Sequence, residues 1–516
     1  MVSREQALKQ LIQPGSSCPQ HKDKVCIVQA AGSQERSLTC SEFEGLIADA
    51  IARYKQLGLT KGQLVVLVSE NSAEMGAALI ACWALNLIAV PVDFRITLPE
   101  LGNIVKQLNA AALMGSKNVI PDFKSAVASV VGDSVAKIEL SELSNKGAAV
   151  EIDPQSIDRN APAFIILTSG TTGMPKGAVH TMESMLINLI DLAVLAGIDD
   201  TMCGVLPLPL SHIFGLEVFN IAISYGMKVV FSALTPASFV ACVSKYKPHV
   251  TAGVPTLYGA LMAAPKEALD LSNGRLLLCG GAPLPVSLAE EFEQKFGKRI
   301  NNGYGSTESM IVALNQTAPI ESVGKIVESA KIDIVNKEGE VLPEPEVGEI
   351  RISGPMLMKG YLNQPELTSQ VLRDGKYYTG DMGYFKDGNL YIAGRSKEMI
   401  IVAGYKVFPA EVEDALRRHP LVCEVAVIGQ PHRQLGQIVK AYVVLVAGEH
   451  SDKLEAGADS SKEARQTVMG ELKGYCKDNL RREMRPMEWE FQPSSKPLPK
   501  TGAGKIDKKQ LEMAPV

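Results

Sequence analysis

An α/β fold is expected: a large N-terminal domain of several subdomains with layered α/β sheets and a small β module, followed by a C-terminal α+β domain. Three changes of rhythm along the 516 residues predict it. Helix-like and short apolar strand-like runs alternate through residue 279, β-type runs split by Gly and Asp follow after Val341, and a compact helix–strand–strand–helix pattern begins at Pro409. Residues 42–58 read as an amphipathic helix ended by Gly58, leading to a strand over 64–68; a helix over 74–85 leads to a strand over 88–92. Further apolar strands are expected at 113–114, 164–167, 203–206, 228–231, 250–252 and 276–279, in largely parallel sheets whose functional loops lie beyond the strand ends. EVGEIRISG, MKGYL, KYYTGDMGYF, NLYIAG and EMIIVAG are assigned to a small antiparallel module. In the last part a helix over 410–420, strands over 424–429 and 438–446 and a helix over 464–480 form a domain of about 120 residues. The polar, Gly-containing stretch 448–461 reads as a surface excursion.

Composition narrows the function. Hydrophobic content of 46% with 21% charged residues belongs to a globular chain with sizeable cores. A net charge of −5 without an arginine-rich tract or basic–aromatic face gives no reason to propose a nucleic-acid partner. The N-terminus lacks the apolar core of a signal peptide, and the longest apolar stretch, 77–92, is broken by Asn86 and Pro91, so no membrane span is expected. Nine scattered cysteines without C-x-x-C spacing point to reduced thiols in a cytoplasmic protein, and seven dispersed histidines give no metal cluster.

The chemistry is carried by loops. TSGTTGMPKG (168–177) follows an apolar strand. Its glycines let backbone N–H groups close on an anion, Ser169, Thr171 and Thr172 add hydroxyls and Lys176 adds a positive charge. It is not a P-loop, because Pro175 occupies the second required glycine position. In LPLPLSHIFG (206–215), two prolines stiffen the approach to His212, a candidate pocket residue. CGGAPLP (279–285) and NNGYGSTES (301–309) supply Gly281 and Ala282 for close approach of a flat ligand. Tyr304, between Gly303 and Gly305, can stack on a base, and Thr307 with Glu308 offers oxygens to phosphate-bound magnesium. Asp381 in YYTGDMGYF can accept from vicinal sugar hydroxyls, with Arg395 of IAGRSKEMIIVAGYKV completing the sugar or phosphate contact and Gly404 marking a tight hairpin. PLPKTGAGKIDKKQL (497–511) projects Lys505, a point charge suited to a carboxylate and an α-phosphate as they join.

Taken in order, TSGTTGMPKG, GYGSTE, YYTGD, AGRSKEMI and PKTGAGK resemble the adenylate-forming superfamily of acyl- and aryl-CoA synthetases, nonribosomal adenylation domains and firefly-type luciferases, over nearly the whole chain. The resemblance implies that Thr168, Ser169, Gly170, Thr171, Thr172, Gly173 and Lys176 bind ATP phosphates, Tyr304 stacks on adenine, Glu308 contacts magnesium and Asp381 and Arg395 hold the ribose. It implies that Lys505 catalyses adenylation, with His212, Lys176 and Thr307 also in the catalytic set. It also implies a mobile C-terminal domain, 397–516, turning about a hinge at Lys397 against the adenylation domain, 1–396, so that Gly404 lies along the pantetheine arm of coenzyme A.

The implied reaction is that of an AMP-forming carboxylic acid–CoA ligase acting on an apolar fatty or aromatic acid. Met185, Phe214, Val254, Thr256, Leu257, Met310 and Ile311 fall near acid-pocket motifs, and none bears a carboxylate to pair an ammonium. The alternative acceptor is a carrier-protein phosphopantetheine thiol. The chain also departs from the family's Ala-Pro-Tyr-Lys type stretch, carrying Arg481, Arg482, Glu483, Met484, Arg485 and Pro486 on the surface that would meet CoA or a carrier. A catalytically silent nucleotide- or acyl-binding module is disfavoured by the full set Lys176, Glu308, Asp381, Arg395 and Lys505.

Overall fold

A computed structural model describes residues 2–30, 35–132, 134–146, 152–168, 176–500 and 506–512, without the side chains of Pro19 and residues 457–459. Among the described residues, two large sheets enclose a layer of helices. A seven-stranded sheet runs Gly360–Tyr361, Lys176–Thr181, Pro162–Thr168, Ile88–Val92, Leu64–Val68, Ala112–Gly115, Ala136–Glu139. Its strands from Pro162–Thr168 onward are parallel. A nine-stranded sheet has a parallel centre made of Ile300–Ser306, Leu276–Cys279, Val250–Gly253, Cys203–Leu206, Lys228–Phe231 and Val25–Gln29.

The apolar runs are continuous because both faces of these strands are covered. In Leu64–Val68, Val65 and Leu67 join the core between the sheets, whereas Val66 and Val68 join Leu101, Ile104 and Phe123 on the outer face. That is the period of two of a strand buried on both sides. Between the sheets lie the helices Cys40–Gln56, Ala73–Ala84, Met182–Ala196 and Ile213–Ser224. Cys40–Gln56 starts at a capping box, the Thr39 hydroxyl accepting from the Glu42 N–H and the Glu42 carboxylate from the Thr39 N–H. Ala73–Ala84 buries every residue but Glu74, which explains its apolar composition on all sides. Gly76 lets it approach Ile213–Ser224, since a Cβ there would stand 2.6 Å from the Phe219 ring.

A five-stranded antiparallel sheet follows, built on Lys331–Val335, Gly348–Ser353, Lys376–Lys386 and Asn389–Arg395 with the short Leu372–Arg373. The terminal sheet comprises Tyr405–Val407, Ile400–Val402, Gly436–Leu445 and Val422–His432, with Glu488–Gln492 added in parallel, and has its own core around Val412, Val427, Val443 and Leu472.

The strands on either side of TSGTTGMPKG, Pro162–Thr168 and Lys176–Thr181, pair antiparallel before the helix at Met182 begins. Three sequence expectations need correcting. MKGYL leaves the small module and adds Gly360–Tyr361 to the edge of the seven-stranded sheet. EMIIVAG also leaves it: Ile400 and Val402 point into the terminal core. An alternating apolar pattern specifies a strand, but the partner is set by which core its apolar face reaches. The 448–461 stretch is at the surface but helical, in Glu449–Glu455 and the start of Gly457–Asn479. There Lys453 pairs with Glu449 at 2.7 Å and the Ser451 hydroxyl accepts from the Ser494 N–H.

Candidate active site

The hairpin strands that end at Thr168 and resume at Lys176 are in register, and the Thr168 hydroxyl donates to the Lys176 carbonyl at 3.4 Å. Ser169, Gly170, Thr171, Thr172 and Gly173 lie outside the described residues, as does Lys505. Lys176 Nζ stands 5.4 Å from the centre of the Tyr361 ring. The Tyr361 hydroxyl donates to Glu308 Oε1 at 2.7 Å, so the lysine expected for phosphate and the carboxylate expected for metal meet on one tyrosine.

Glu308 follows a tight turn. The hydroxyl of Ser306 accepts from the N–H groups of Glu308 and Ser309, each at 3.2 Å. Gly305 is required for packing, since a Cβ there would lie 2.2 Å from the Met310 carbonyl oxygen. The turn is pinned from outside by His180, fully buried, stacked on Phe164 with ring centres 5.2 Å apart and bonded through Nε2 to the Thr307 carbonyl at 2.7 Å. Burial pushes the His180 imidazole down to about 4, so it is neutral and donates Nε2–H.

Beyond the turn, Ile311 is clamped at both backbone groups. Its N–H donates to Glu217 Oε1 at 3.3 Å, and its carbonyl accepts from Asn188 Nδ2 at 2.8 Å. Burial pushes the Glu217 carboxyl up to about 8.

The two residues expected for sugar contact, Asp381 and Arg395, face each other across the Lys376–Lys386 and Asn389–Arg395 pair. Arg395 Nε lies 3.2 Å from Asp381 Oδ1, and the Tyr304 hydroxyl donates to Oδ2 at 2.9 Å. Burial raises the Asp381 carboxyl while Arg395 and Tyr304 oppose the rise. With two partners bound, a carboxylate still has lone pairs for two hydroxyl donors.

The acid-side motifs also converge. His212 is the N-cap of Ile213–Ser224, but its imidazole makes no cap bond and lies with Nε2 3.1 Å from Asp93 Oδ2. Burial opposes the charge on Asp93, yet bonds from Arg95 and His212 hold it well below the usual carboxylate range. Phe214 covers Gly280, its Cε1 being 3.2 Å from a Cβ built there, and Gly281 (φ +76°) has Val254 as its neighbour. Ala282 is half-buried beside them, and a Cβ on Gly303 would lie 3.2 Å from Leu278 Cδ1. Met185, Met310 and Ile311 belong to the core between the sheets. Leu257 instead packs with Phe239 and Tyr258 on the far face of the nine-stranded sheet, and Thr256 is exposed.

Not every expected residue joins this group. Gly404 forms a hairpin tip with Ala403, at φ +88° and +50°, in open space, since among the described residues no atom beyond its two chain neighbours lies within 4 Å of a Cβ built there. Lys397 is exposed on the turn between Asn389–Arg395 and Ile400–Val402, where Ser396 N–H donates to the Gly380 carbonyl. The 481–486 stretch contains a short 3₁₀ turn, Arg482–Met484, and helps to line a cavity of about 420 Å³ with Glu411, Asp414, Arg418 and Tyr475. Sequence reasoning missed Asp93, His180, Asn188, Glu217 and Tyr361. Of these only Tyr361 lay in a quoted motif, MKGYL, and nothing local tied it to Glu308.

A magnesium ion is compatible with this geometry. Among the described residues no group of three His, Cys, Asp or Glu side chains forms a metal cage, and Glu308 with Thr307 offers oxygen donors beside the lysine of the phosphate loop. Magnesium is typically held by one or two carboxylates plus substrate phosphates. All nine cysteines are free thiols, and no described helix is long and apolar enough to cross a membrane.

Comparison with known proteins agrees with this arrangement. A family model for AMP-binding enzymes matches residues 16–362, and one for the AMP-binding enzyme C-terminal domain matches residues 411–505. A feruloyl-CoA synthase of Amycolatopsis sp is 30% identical over 486 residues, covering 92% of this chain and 93% of that protein. A long-chain-fatty-acid–CoA ligase of Bacillus subtilis (strain 168) is 36% identical over 376 residues, 70% of this chain and 62% of that one. The solved o-succinylbenzoate CoA synthetase of Bacillus subtilis, in complex with its acyl-adenylate intermediate, superposes with a TM-score of 0.79 at 27% identity over 98% of both chains.

Proposed function

The chain belongs to the AMP-binding enzyme family and is an ATP-dependent, AMP-forming acid–thiol ligase, and we propose that it joins an apolar fatty or aromatic carboxylic acid to coenzyme A through an acyl adenylate. The observation that carries the reading is the meeting of Lys176, Glu308, Tyr304, Asp381 and Arg395, drawn from four distant motifs, through Tyr361 and two direct side-chain contacts. Lys176 and the loop that it closes bind the triphosphate. Tyr304 flanks the base, and Asp381 accepts the ribose hydroxyls on its remaining lone pairs while Arg395 keeps it charged. Glu308 and Thr307 hold magnesium, which when bound neutralises phosphate charge. The acid enters beside His212, Phe214 and the Gly280–Gly281 backbone, its carboxylate attacks the α-phosphorus, and pyrophosphate leaves. Lys505 stabilises charge in that step. Rotation of the terminal domain about Lys397 then brings Gly404 forward, and the thiol attacks the mixed anhydride to release AMP.

The test incubates the purified protein with magnesium, ATP and a panel of short, medium, long and aromatic acids, with and without CoA. Acid-dependent pyrophosphate together with the mass of a CoA thioester is expected. An adenylate that CoA cannot discharge, but a phosphopantetheinyl carrier protein can, would replace CoA with the carrier as acceptor. The cavity at Arg481 and Met484, where the chain departs from the family stretch, is the observation that keeps that second reading in view.

A further inference from the structure

Tyr361 sits where three parts of the active site meet, although the reaction assigns it no task. Its strand is stitched on both sides. Met358 N–H donates to the Glu308 carbonyl at 2.9 Å, while Lys359 N–H and Leu362 N–H donate to the Val179 and Gly177 carbonyls, each at 2.8 Å. Tyr361 N–H donates to the Thr368 hydroxyl at 2.9 Å. Gly360, at φ +145°, leaves no room for a side chain, since a Cβ would lie 2.8 Å from Thr368 Cγ2. The ring is therefore seated by its backbone and buried to 7% exposure.

From that seat it touches two groups of opposite charge. Its hydroxyl holds Glu308 Oε1 at 2.7 Å and its face carries Lys176 Nζ at 5.4 Å. Among the described residues no ion pair joins Lys176 to Glu308, and no hydrogen bond reaches Glu308 Oε2. Direct pairing would neutralise the cation meant for phosphate and the carboxylate meant for metal. An aromatic face attracts an ammonium weakly enough to release it to a triphosphate, and a phenol donor leaves the carboxylate its charge and its second oxygen.

We propose that Tyr361 is a positioning residue that keeps Lys176 and Glu308 apart and ready, its hydroxyl aiming Glu308 Oε2 at a divalent cation and its ring holding Lys176 until the triphosphate arrives. The inference rests on the ATP-side reading above. The two functions separate by substitution in the full-length protein. Tyr361→Phe keeps the ring and loses the hydroxyl, whereas Tyr361→Leu loses both.

The measurements are Mn²⁺ uptake by electron paramagnetic resonance in the presence of ATP, which needs no acid substrate, and the ATP KM at saturating Mg²⁺. In Tyr361→Phe, metal affinity falls by about tenfold, as for loss of one hydrogen bond to a charged group, with the ATP KM unchanged. In Tyr361→Leu, the ATP KM rises in addition by roughly two- to fivefold, the worth of a cation–π contact whose lysine is still reached by water. Equal Mn²⁺ binding by wild type and Tyr361→Phe, or identical behaviour of the two variants, overturns the inference alone. A wild type that takes up no Mn²⁺ with ATP overturns the ATP-side reading as well.

Discussion

His180 and Glu217 titrate in opposite senses, and each braces the Thr307–Ile311 turn. His180 has a folded-state value of about 4 against an ordinary 6.5, so between these values the unfolded chain binds more protons and stability is lost as the pH falls. Glu217, at about 8 against 4.5, binds more protons when folded, so stability is lost as the pH rises through that window. Each contributes a slope on the order of 1.4 kcal/mol per pH unit. Glu217→Gln keeps an acceptor for the Ile311 N–H and cannot ionise. Urea denaturation of this variant and the wild type from pH 5 to 8 is expected to show the difference in stability moving steadily in favour of the variant as the pH rises. A constant difference would mean that Glu217 does not titrate in this range. His180→Phe preserves the stack on Phe164 but leaves the Thr307 carbonyl unbonded, and is expected to lose about 1–3 kcal/mol in the same assay at pH 7.

Helices and strands succeed here where glycine permits close approach. Ile213–Ser224 begins at His212 and turns immediately under Pro209, so that a Cβ on Gly215 would lie 2.3 Å from the Pro209 carbonyl oxygen. Because that contact is with backbone, Gly215→Ala must displace the first turn of the helix and carry His212 and Phe214 with it. Overpacking of this kind is expected to lower stability by about 1–3 kcal/mol and to raise the KM for the acid more than that for ATP, as steady-state kinetics would show. Gly305→Ala, 2.2 Å from the Met310 carbonyl oxygen, strains the other side of the site. There the expected defect is in ATP use, read by acid-dependent pyrophosphate release, with the KM for the acid the lesser change.

At the scale of the molecule, the terminal domain is docked through few groups. Asp414 Oδ1 accepts from the Val286 N–H at 3.0 Å, at the start of the helix Val286–Phe296, and Arg418 lies 3.2 Å from Glu290. Met382 and Ala393 share a small apolar cluster with Phe408. A carboxylate at a helix N-terminus and one surface ion pair hold weakly enough to be released during turnover. The Gly404 hairpin stands in open space among the described residues, and under the proposed rotation about Lys397 these docking contacts would serve the half-reaction before thiol attack. Asp414→Ala is accordingly expected to slow pyrophosphate release about three- to tenfold, from loss of a charged hydrogen bond, while discharge of preformed adenylate to CoA is unchanged. Equal slowing of both half-reactions would exclude a docking role specific to the first.

Local pattern was enough for much of this architecture. Strands such as 64–68, helices such as 74–85 and the hairpin tip at Gly404 are written in apolar spacing and glycine placement, which act over a few residues. The same pattern marked Lys176, Tyr304, Glu308, Asp381 and Arg395, but Tyr304, Asp381 and Arg395 stand on strands and not on the expected loops, because glycine-rich sequence is compatible with either. Tertiary structure alone decided the partners: that MKGYL edges the large sheet and EMIIVAG the terminal one, that Tyr361 stands between Lys176 and Glu308, and that Glu217 and Asn188 grip the two sides of Ile311. Those pairings span 53 to 185 positions of sequence for the contacts to Glu308 and Lys176 and about a hundred for those to Ile311. A strand or helix carries its own period in its residues, but its neighbour is chosen by which apolar faces can be buried together and which polar atoms then need a bond.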